Sequence, residues 1–128
     1  MEMVEMIQAN AQLVRQVARS DMDVQLEYDQ AGVRWLNGYI DRQRNGGNPA
    51  IRKILVNTLG SYLGECIRIT YGGEWISDPQ LGWGVRLPGG VTAFPFNKVG
   101  KQLEEDSNSV LSFFTAIPAL MQLPPSQN

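Results

Sequence analysis

The sequence contains no histidine and a single cysteine, Cys66, among its 128 residues. Without histidine there can be no Ser-His-Asp or Cys-His pair, so nucleophilic catalysis of that kind is excluded. One cysteine cannot form a disulfide within the chain, and one cysteine without histidine cannot supply the ligands of a zinc site. We therefore expect no metal and no other cofactor, and a reducing compartment.

Charge and long apolar runs are also scarce. Charged residues make up 19% of the chain and the net charge is -2, which gives no general attraction to nucleic acid or to an anionic membrane. No run approaches the ~20 apolar residues of a membrane-spanning helix, and the first residues lack the basic and apolar parts of a secretory signal. The sequence predicts a cytoplasmic protein that binds neither nucleic acid nor membrane.

What the chain does contain is 43% hydrophobic residues, whose spacing changes along it. Up to Tyr71 they recur every three or four residues, which predicts helices over about 3–19, over 30–44 and from 49 onward. Over 81–87 they fall on every second residue, which predicts a strand; with strands over 74–77 before it and 91–96 after it, joined by turn residues, this predicts an antiparallel meander. Two further helices follow, over 97–103 and from a cap at Ser107 or Asn108, and Pro118 is expected to end or kink the last one.

This order predicts an α+β fold: N-terminal helices, a small three-stranded antiparallel meander and a C-terminal helix packed on the sheet. At this length we expect a single domain over 1–120. Residues 1–20 either belong to it or form a helix added in front of it, and 121–128 are predicted to be a flexible tail. The methionine-rich first helix can pack on its own domain or across a dimer, so monomer and homodimer both stay open.

Two glycines four residues apart, Gly60 and Gly64, lie inside the predicted third helix, where glycine costs about 1 kcal/mol relative to alanine. At that spacing they share one face of the helix and allow another part of the chain to come close. No phosphate-binding glycine motif is present. We interpret the pair as a packing surface against the sheet rather than a ligand cradle, and Cys66 as an inert core residue.

A candidate ligand or catalytic site lies where this helix gives way to the sheet, at Glu65, Arg68, Tyr71 and Glu74. Two carboxylates at a suitable separation can serve as acid and base, as in glycoside hydrolysis, and a pocket around Glu65 would raise the pKa of its carboxyl. The alternative is structural: an ion pair between Glu65 and Arg68, or hydrogen bonds from loop amides to Glu65. The sequence favours the structural alternative and leaves both open.

A second candidate site is acidic, because Asp21, Asp23, Glu27 and Asp29 follow one another with no basic residue between them. Such a segment is either solvated, with Asp29 capping the next helix, or a surface on which charge steers the docking of another protein. A stacking platform for single-stranded nucleic acid around Trp83 is a weaker hypothesis, since the alternation in its strand predicts that Trp83 is in the core.

Several segments resemble a small bacterial domain family of unknown function. They are Val33–Ile40, the Gly-x-Tyr-Leu-Gly-Glu run over 60–65, the Gly-Gly-x-Trp run over 72–75 and Gly-Trp-Gly-Val over 82–85. The resemblance covers about residues 28–115 and implies a bacterial or phage-borne α+β domain, without an activity to transfer. Our hypothesis is a non-catalytic bacterial protein-binding module, an immunity-type or regulatory protein that blocks a partner protein. The alternative is a small enzyme or ligand-binding protein that uses Glu65 and Glu74.

Overall fold

The computed structural model describes residues 2–44, 48–105 and 109–122. Within these ranges the chain forms the helices α1 (Met3–Met22), α2 (Gln30–Gln43), α3 (Pro49–Tyr71), α4 (Pro95–Glu104) and α5 (Val110–Met121). The strands β1 (Glu74–Asp78), β2 (Gly82–Arg86) and β3 (Thr92–Ala93) lie between α3 and α4 and pair antiparallel in the order β1-β2-β3. The predicted α+β fold, with helices before and after a three-stranded meander, is confirmed.

The central helix is α3, which packs against α1 and α4. Asn48 begins it by accepting a hydrogen bond from the amide of Ile51 at 3.0 Å, and Pro49 stands in the first turn, where a missing N–H costs nothing. Every residue from 59 to 67 is buried. Gly72 ends the helix with a φ of 83°, in the left-handed region that favours glycine.

The sheet follows α3 directly. The amides of Gly72 and Gly73 both donate to the carbonyl of Arg68, at 2.9 and 3.1 Å, so the helix closes just before β1 begins. In the register of β1 and β2, Trp75 lies opposite Val85, and both are buried. The helices α3 and α4 contact β2, whereas α5 packs mainly on α2 and has its last turn close to Gly89, in the turn after β2.

The last helix begins at a cap that we did not predict. Ser107 and Asn108 lie outside the described residues, and Ser109 caps α5 by accepting a hydrogen bond from the amide three residues on, at 3.1 Å. Pro118 lies inside α5, which continues to Met121. The helix tolerates the proline because the hydroxyl of Tyr71 donates to the carbonyl of Phe114, the acceptor that Pro118 leaves free, at 2.9 Å.

Other predictions fall partly or wholly outside the described ranges. The residues predicted to end the second helix, 45–48, lie outside the described ranges except for Asn48. The predicted tail, 121–128, also lies outside them, except for Met121, which ends α5, and Gln122, which follows it. The sequence does not decide whether residues 1–20 belong to the domain or form a helix added in front of it. In the structure α1 buries Ile7, Ala11, Val14 and Ala18 in the same core cluster as α3.

The apolar side of α1 differs most from the prediction. The sequence pattern predicts one core stripe, which contains Met3, Met6, Ile7, Leu13, Val14 and Val17. Of these, Ile7 and Val14 are buried, while Met3, Met6, Leu13 and Val17 are 37% to 46% exposed. The core side is completed by two alanines, which allow α1 to lie close to α3. The helix therefore has two apolar sides, one against α3 and one toward solvent.

Candidate functional site

Glu65 lies in the most buried part of α3, and its side chain is only 6% exposed. The Arg68 guanidinium holds both carboxylate oxygens, with Nε 2.7 Å from Oε2 and Nη2 3.0 Å from Oε1. The indole N–H of Trp75, on β1, donates to Oε2 at 2.9 Å. The ion pair predicted as the structural alternative is thus present, and charge-assisted hydrogen bonds of this kind are strong. The loop amides of Gly72 and Gly73 bind the carbonyl of Arg68 instead of this carboxylate.

The pKa of the Glu65 carboxyl lies below its usual value. Burial raises this pKa, but the hydrogen bonds from Arg68 and Trp75 and the charge of Arg68 together lower it by more. A carboxylic acid that donates a proton near neutral pH needs the opposite shift, a raised pKa. The contacts of Glu65 instead join the central helix to the first strand.

The other residues of the candidate ligand site have partners of their own. The hydroxyl of Tyr71 donates to a carbonyl of α5, and Glu74 forms an ion pair with Arg86, its register partner on β2. The side chain of Glu74 is 65% exposed, in contrast to that of Glu65. The structure thus brings Glu65 and Arg68 together and gives Tyr71 and Glu74 different partners. Among the described residues, no group of three or more acidic or cysteine side chains is arranged to hold a metal ion.

The acidic segment forms the connection between α1 and α2, and most of it has local partners. Asp23 closes α1 with a φ of 55°, in the left-handed region, and Asp29 caps α2 by accepting an amide hydrogen bond at 2.9 Å. Glu27 pairs with Arg15 of α1 at 3.4 Å. Asp21 is exposed in the last turn of α1 and accepts a hydrogen bond from the neighbouring serine at 2.9 Å. Three of the four acidic residues thus shape the chain locally.

Cys66 is completely buried, and burial raises the pKa of its thiol to about 12. Only the thiolate reacts quickly with thiol reagents. We therefore expect no labelling of the native protein by such a reagent at about pH 8, and labelling of one thiol per chain after denaturation in urea. Rapid labelling of the native protein would contradict the assignment of Cys66 to the core.

An apolar groove of about 210 Å³ opens along the C-terminal half of α1. Leu13 and Val17 form one wall, Trp35 and Tyr39 of α2 form the other, and Ile54 of α3 lies between them. The two aromatic rings are stacked, with their centroids 5.1 Å apart. Ile54 is 61% exposed. The groove thus offers flat aromatic and branched aliphatic surface to a ligand or a partner.

A second groove, of about 400 Å³, continues along the N-terminal half of α1. Met3 and Met6 line it together with Leu81 and Trp83 of the β1–β2 hairpin. Trp83, which was predicted to lie in the core, packs against the core cluster but is only half-buried, at this groove. The tryptophan that is buried is Trp75, because Gly64 of α3 leaves space for its ring beneath the helix.

We call the exposed stripe of α1 that borders both grooves the α1 face, and define it by Met3, Met6, Asn10, Leu13 and Val17. Among the described residues, every exposed large hydrophobic side chain except Ile51 and Ile69 lines one of the two grooves. Single exposed apolar residues are normal, whereas a contiguous apolar surface marks a binding site. One signal in the sequence indicates this surface: the apolar residues of α1 span about half of the helix circumference, wider than one core stripe requires.

The fold and the two grooves define a small α+β domain in which one apolar side of α1 is exposed. Comparison with protein families, with curated proteins and with solved structures gives no match for this chain. The resemblance to a bacterial domain family therefore stays a prediction. Across the described ranges, no helix combines the length and the apolar character needed to cross a membrane.

Proposed function

We propose that this protein is a non-catalytic protein-binding module that holds an amphipathic helix of another polypeptide against the α1 face. The observation that supports this function is the exposed apolar side of α1, whose Met3 and Met6 line one groove and whose Leu13 and Val17 line the other. Burial of apolar surface stabilises a complex by about 25 cal/mol per Å² before the costs of association are subtracted. A groove beside a helix is the usual seat of an amphipathic helix, whose apolar residues recur at three- and four-residue spacing.

The surroundings of the carboxylates favour this function over an enzyme. Glu65 has its oxygens occupied by Arg68 and Trp75, and its lowered pKa suits a permanent anion. The acidic segment has a different part in the proposal from the one that the sequence suggested. Asp21 and Asp23 stand on either side of Met22, which lines the first groove, so their charges act on the rate of docking rather than on its strength. In this proposal the protein acts by occupying its partner's surface, as an immunity-type or regulatory protein does.

Substituting Leu13 by glutamine is expected to weaken binding strongly while leaving the fold intact. Leu13 is 45% exposed on the α1 face, next to Asn10 in the stripe, and glutamine is a good helix former, so the free energy of unfolding should change by less than about 1 kcal/mol. Loss of an apolar anchor should weaken binding at least ~tenfold. The measurement is an affinity purification of the tagged protein from its host, in which an untagged copy of the chain is also expressed. Mass spectrometry identifies the polypeptides that are retained and gives their stoichiometry.

The matched control is Gln16→Lys, an exposed position on another side of α1, which should capture as the wild type does. Asp21→Lys should change the rate of association and leave the amount captured at equilibrium nearly unchanged. Capture of the same polypeptide, in equal amount, by the Leu13→Gln variant would contradict the proposal, and so would a wild-type protein that retains no polypeptide.

A further inference from the structure

We infer that the helix bound to the α1 face is α1 of a second copy of this chain, so that the protein is a homodimer; the inference rests on the proposed function. The residues of the α1 face, Met3, Met6, Asn10, Leu13 and Val17, recur at alternating steps of three and four residues. This is the a and d spacing of a heptad repeat, the pattern with which two helices bury a shared seam.

The seam is separate from the side of α1 that packs on its own domain. Ile7, Ala11, Val14 and Ala18 form that other stripe, also at steps of four and three, and all four are buried. At about 100° per residue the two stripes, which are offset by one residue, lie a little more than a quarter of a turn apart around the helix axis. A helix that only covers its own core needs one apolar stripe. The second stripe of α1 is therefore available to another helix.

Asn10 indicates what kind of helix this is. It occupies the middle of the seam, with two apolar residues on either side of it. Among the described residues, none forms a hydrogen bond with its side chain. Asn10 lines the second groove beside Asn57 and Ser61 of α3, and an unrelated apolar helix laid over it would offer this amide no hydrogen-bond partner. Against a second α1 it meets Asn10 of the partner subunit, and each amide can donate and accept; a single asparagine of this kind sets the register of a helix pair.

Charge and area also suit a second copy. No residue of the α1 face is charged, so two copies can approach there without opposing like charges. A stable interface buries about 800 Å² on each partner, more than one pair of short helices supplies. Ile54 and Leu81, both exposed, add apolar surface to the first and the second groove. The flexible side chains of Met3 and Met6 can adapt to the facing helix.

Cysteine cross-linking of the full-length protein tests this arrangement, because Cys66 is buried and leaves an introduced cysteine as the reactive one. Under mild oxidation, Asn10→Cys is expected to give a disulfide-linked dimer as the main species on a non-reducing gel. The matched control, Gln12→Cys, places the thiol on the opposite side of α1 and should run as a single, uncross-linked chain on the same gel. In sedimentation velocity the wild type should have twice its 14.3 kDa chain mass, and Leu13→Gln should raise the dissociation constant at least ~tenfold.

A wild-type protein that sediments as a monomer at ~100 µM, far above a micromolar dissociation constant, would overturn the dimer. Equal cross-linking of Asn10→Cys and Gln12→Cys would overturn it as well. If the monomer still captures another polypeptide and loses it on Leu13→Gln substitution, the dimer fails and the proposed function stands. If the monomer captures nothing, both fail.

Discussion

Replacing Gly64 by alanine is expected to destabilise the protein by about 2 kcal/mol, although alanine favours a helix by about 1 kcal/mol over glycine. The new β-carbon would lie 2.1 Å and 2.4 Å from two atoms of the Trp75 ring and 3.1 Å from the ring of Pro95. The indole has little room to retreat, because it is buried and its N–H is bound to Glu65. The cost of overpacking this contact, at the upper end of about 1–3 kcal/mol, outweighs the gain in helix propensity.

Two other helical glycines provide matched controls for this prediction. A β-carbon at Gly38 would meet only the flexible end of Arg42, at 3.3 Å, and one at Gly100 would meet a methyl group of Val56 at 3.9 Å. Gly38→Ala and Gly100→Ala should therefore stabilise the protein by about 0.5–1 kcal/mol each. Urea denaturation of the three variants gives the comparison. A Gly64→Ala protein as stable as the wild type would show that α3 and Trp75 are not in such close contact.

Removal of the Glu65 carboxylate is the second large effect that we expect. Glu65→Ala takes away the ion pair, the acceptor of the Trp75 N–H and buried volume, and should cost about 3–4 kcal/mol. Glu65→Gln keeps an acceptor for Trp75, and Arg68, whose side chain is 32% exposed, can turn toward water, so the cost should be about 1–2 kcal/mol. A Glu65→Gln protein with unchanged stability and lost biological activity would instead support a catalytic role for this carboxylate.

The difference in stability between the wild type and Glu65→Gln should also depend on pH. Because the pKa of Glu65 is lower in the folded chain than in the unfolded chain, where glutamate titrates near ~4.3, folding favours the ionised carboxylate. This stabilisation is fully present above the unfolded pKa and is lost as the pH falls through the folded pKa. Urea midpoints measured from about pH 6 down to about pH 3 should therefore converge for the two proteins. A constant difference would mean that the ion pair contributes nothing.

Elements bounded by local signals were predicted closely. Asn48 and Pro49 begin α3 and Asp29 caps α2 as expected, and the change in apolar spacing after Tyr71 marks the start of the sheet. The close approach at Gly60 and Gly64 was also predicted. In the structure, side chains of the sheet and of the start of α4 fill this face of the helix. These features depend on a few neighbouring residues, which the sequence shows directly.

Burial was predicted less well wherever two sides of an element are apolar. The pattern of α1 did not show which apolar residues meet α3, and the meander did not show which tryptophan its neighbours cover. For Glu65 the ion pair was foreseen, but not its burial or its bond to Trp75, which comes from a strand ten residues away. In each case the answer depends on which other element packs on the residue.

The sequence alone was enough to predict the order of the helices and strands, most of their limits, the α+β class and the exclusion of histidine-based chemistry. Caps, turns and apolar spacing act within one or two helical turns, so neighbouring residues set most of these limits. The end of α5 is an exception, since the helix continues past Pro118 where Tyr71 binds the freed carbonyl. Packing in three dimensions is needed to see that α1 exposes a second apolar side, that Trp75 is buried more deeply than Trp83 and that Arg68 and Trp75 hold the Glu65 carboxylate. Burial and pKa depend on the side chains that approach from elsewhere in the chain, and close packing, rather than apolar character alone, selects which side of a helix is covered.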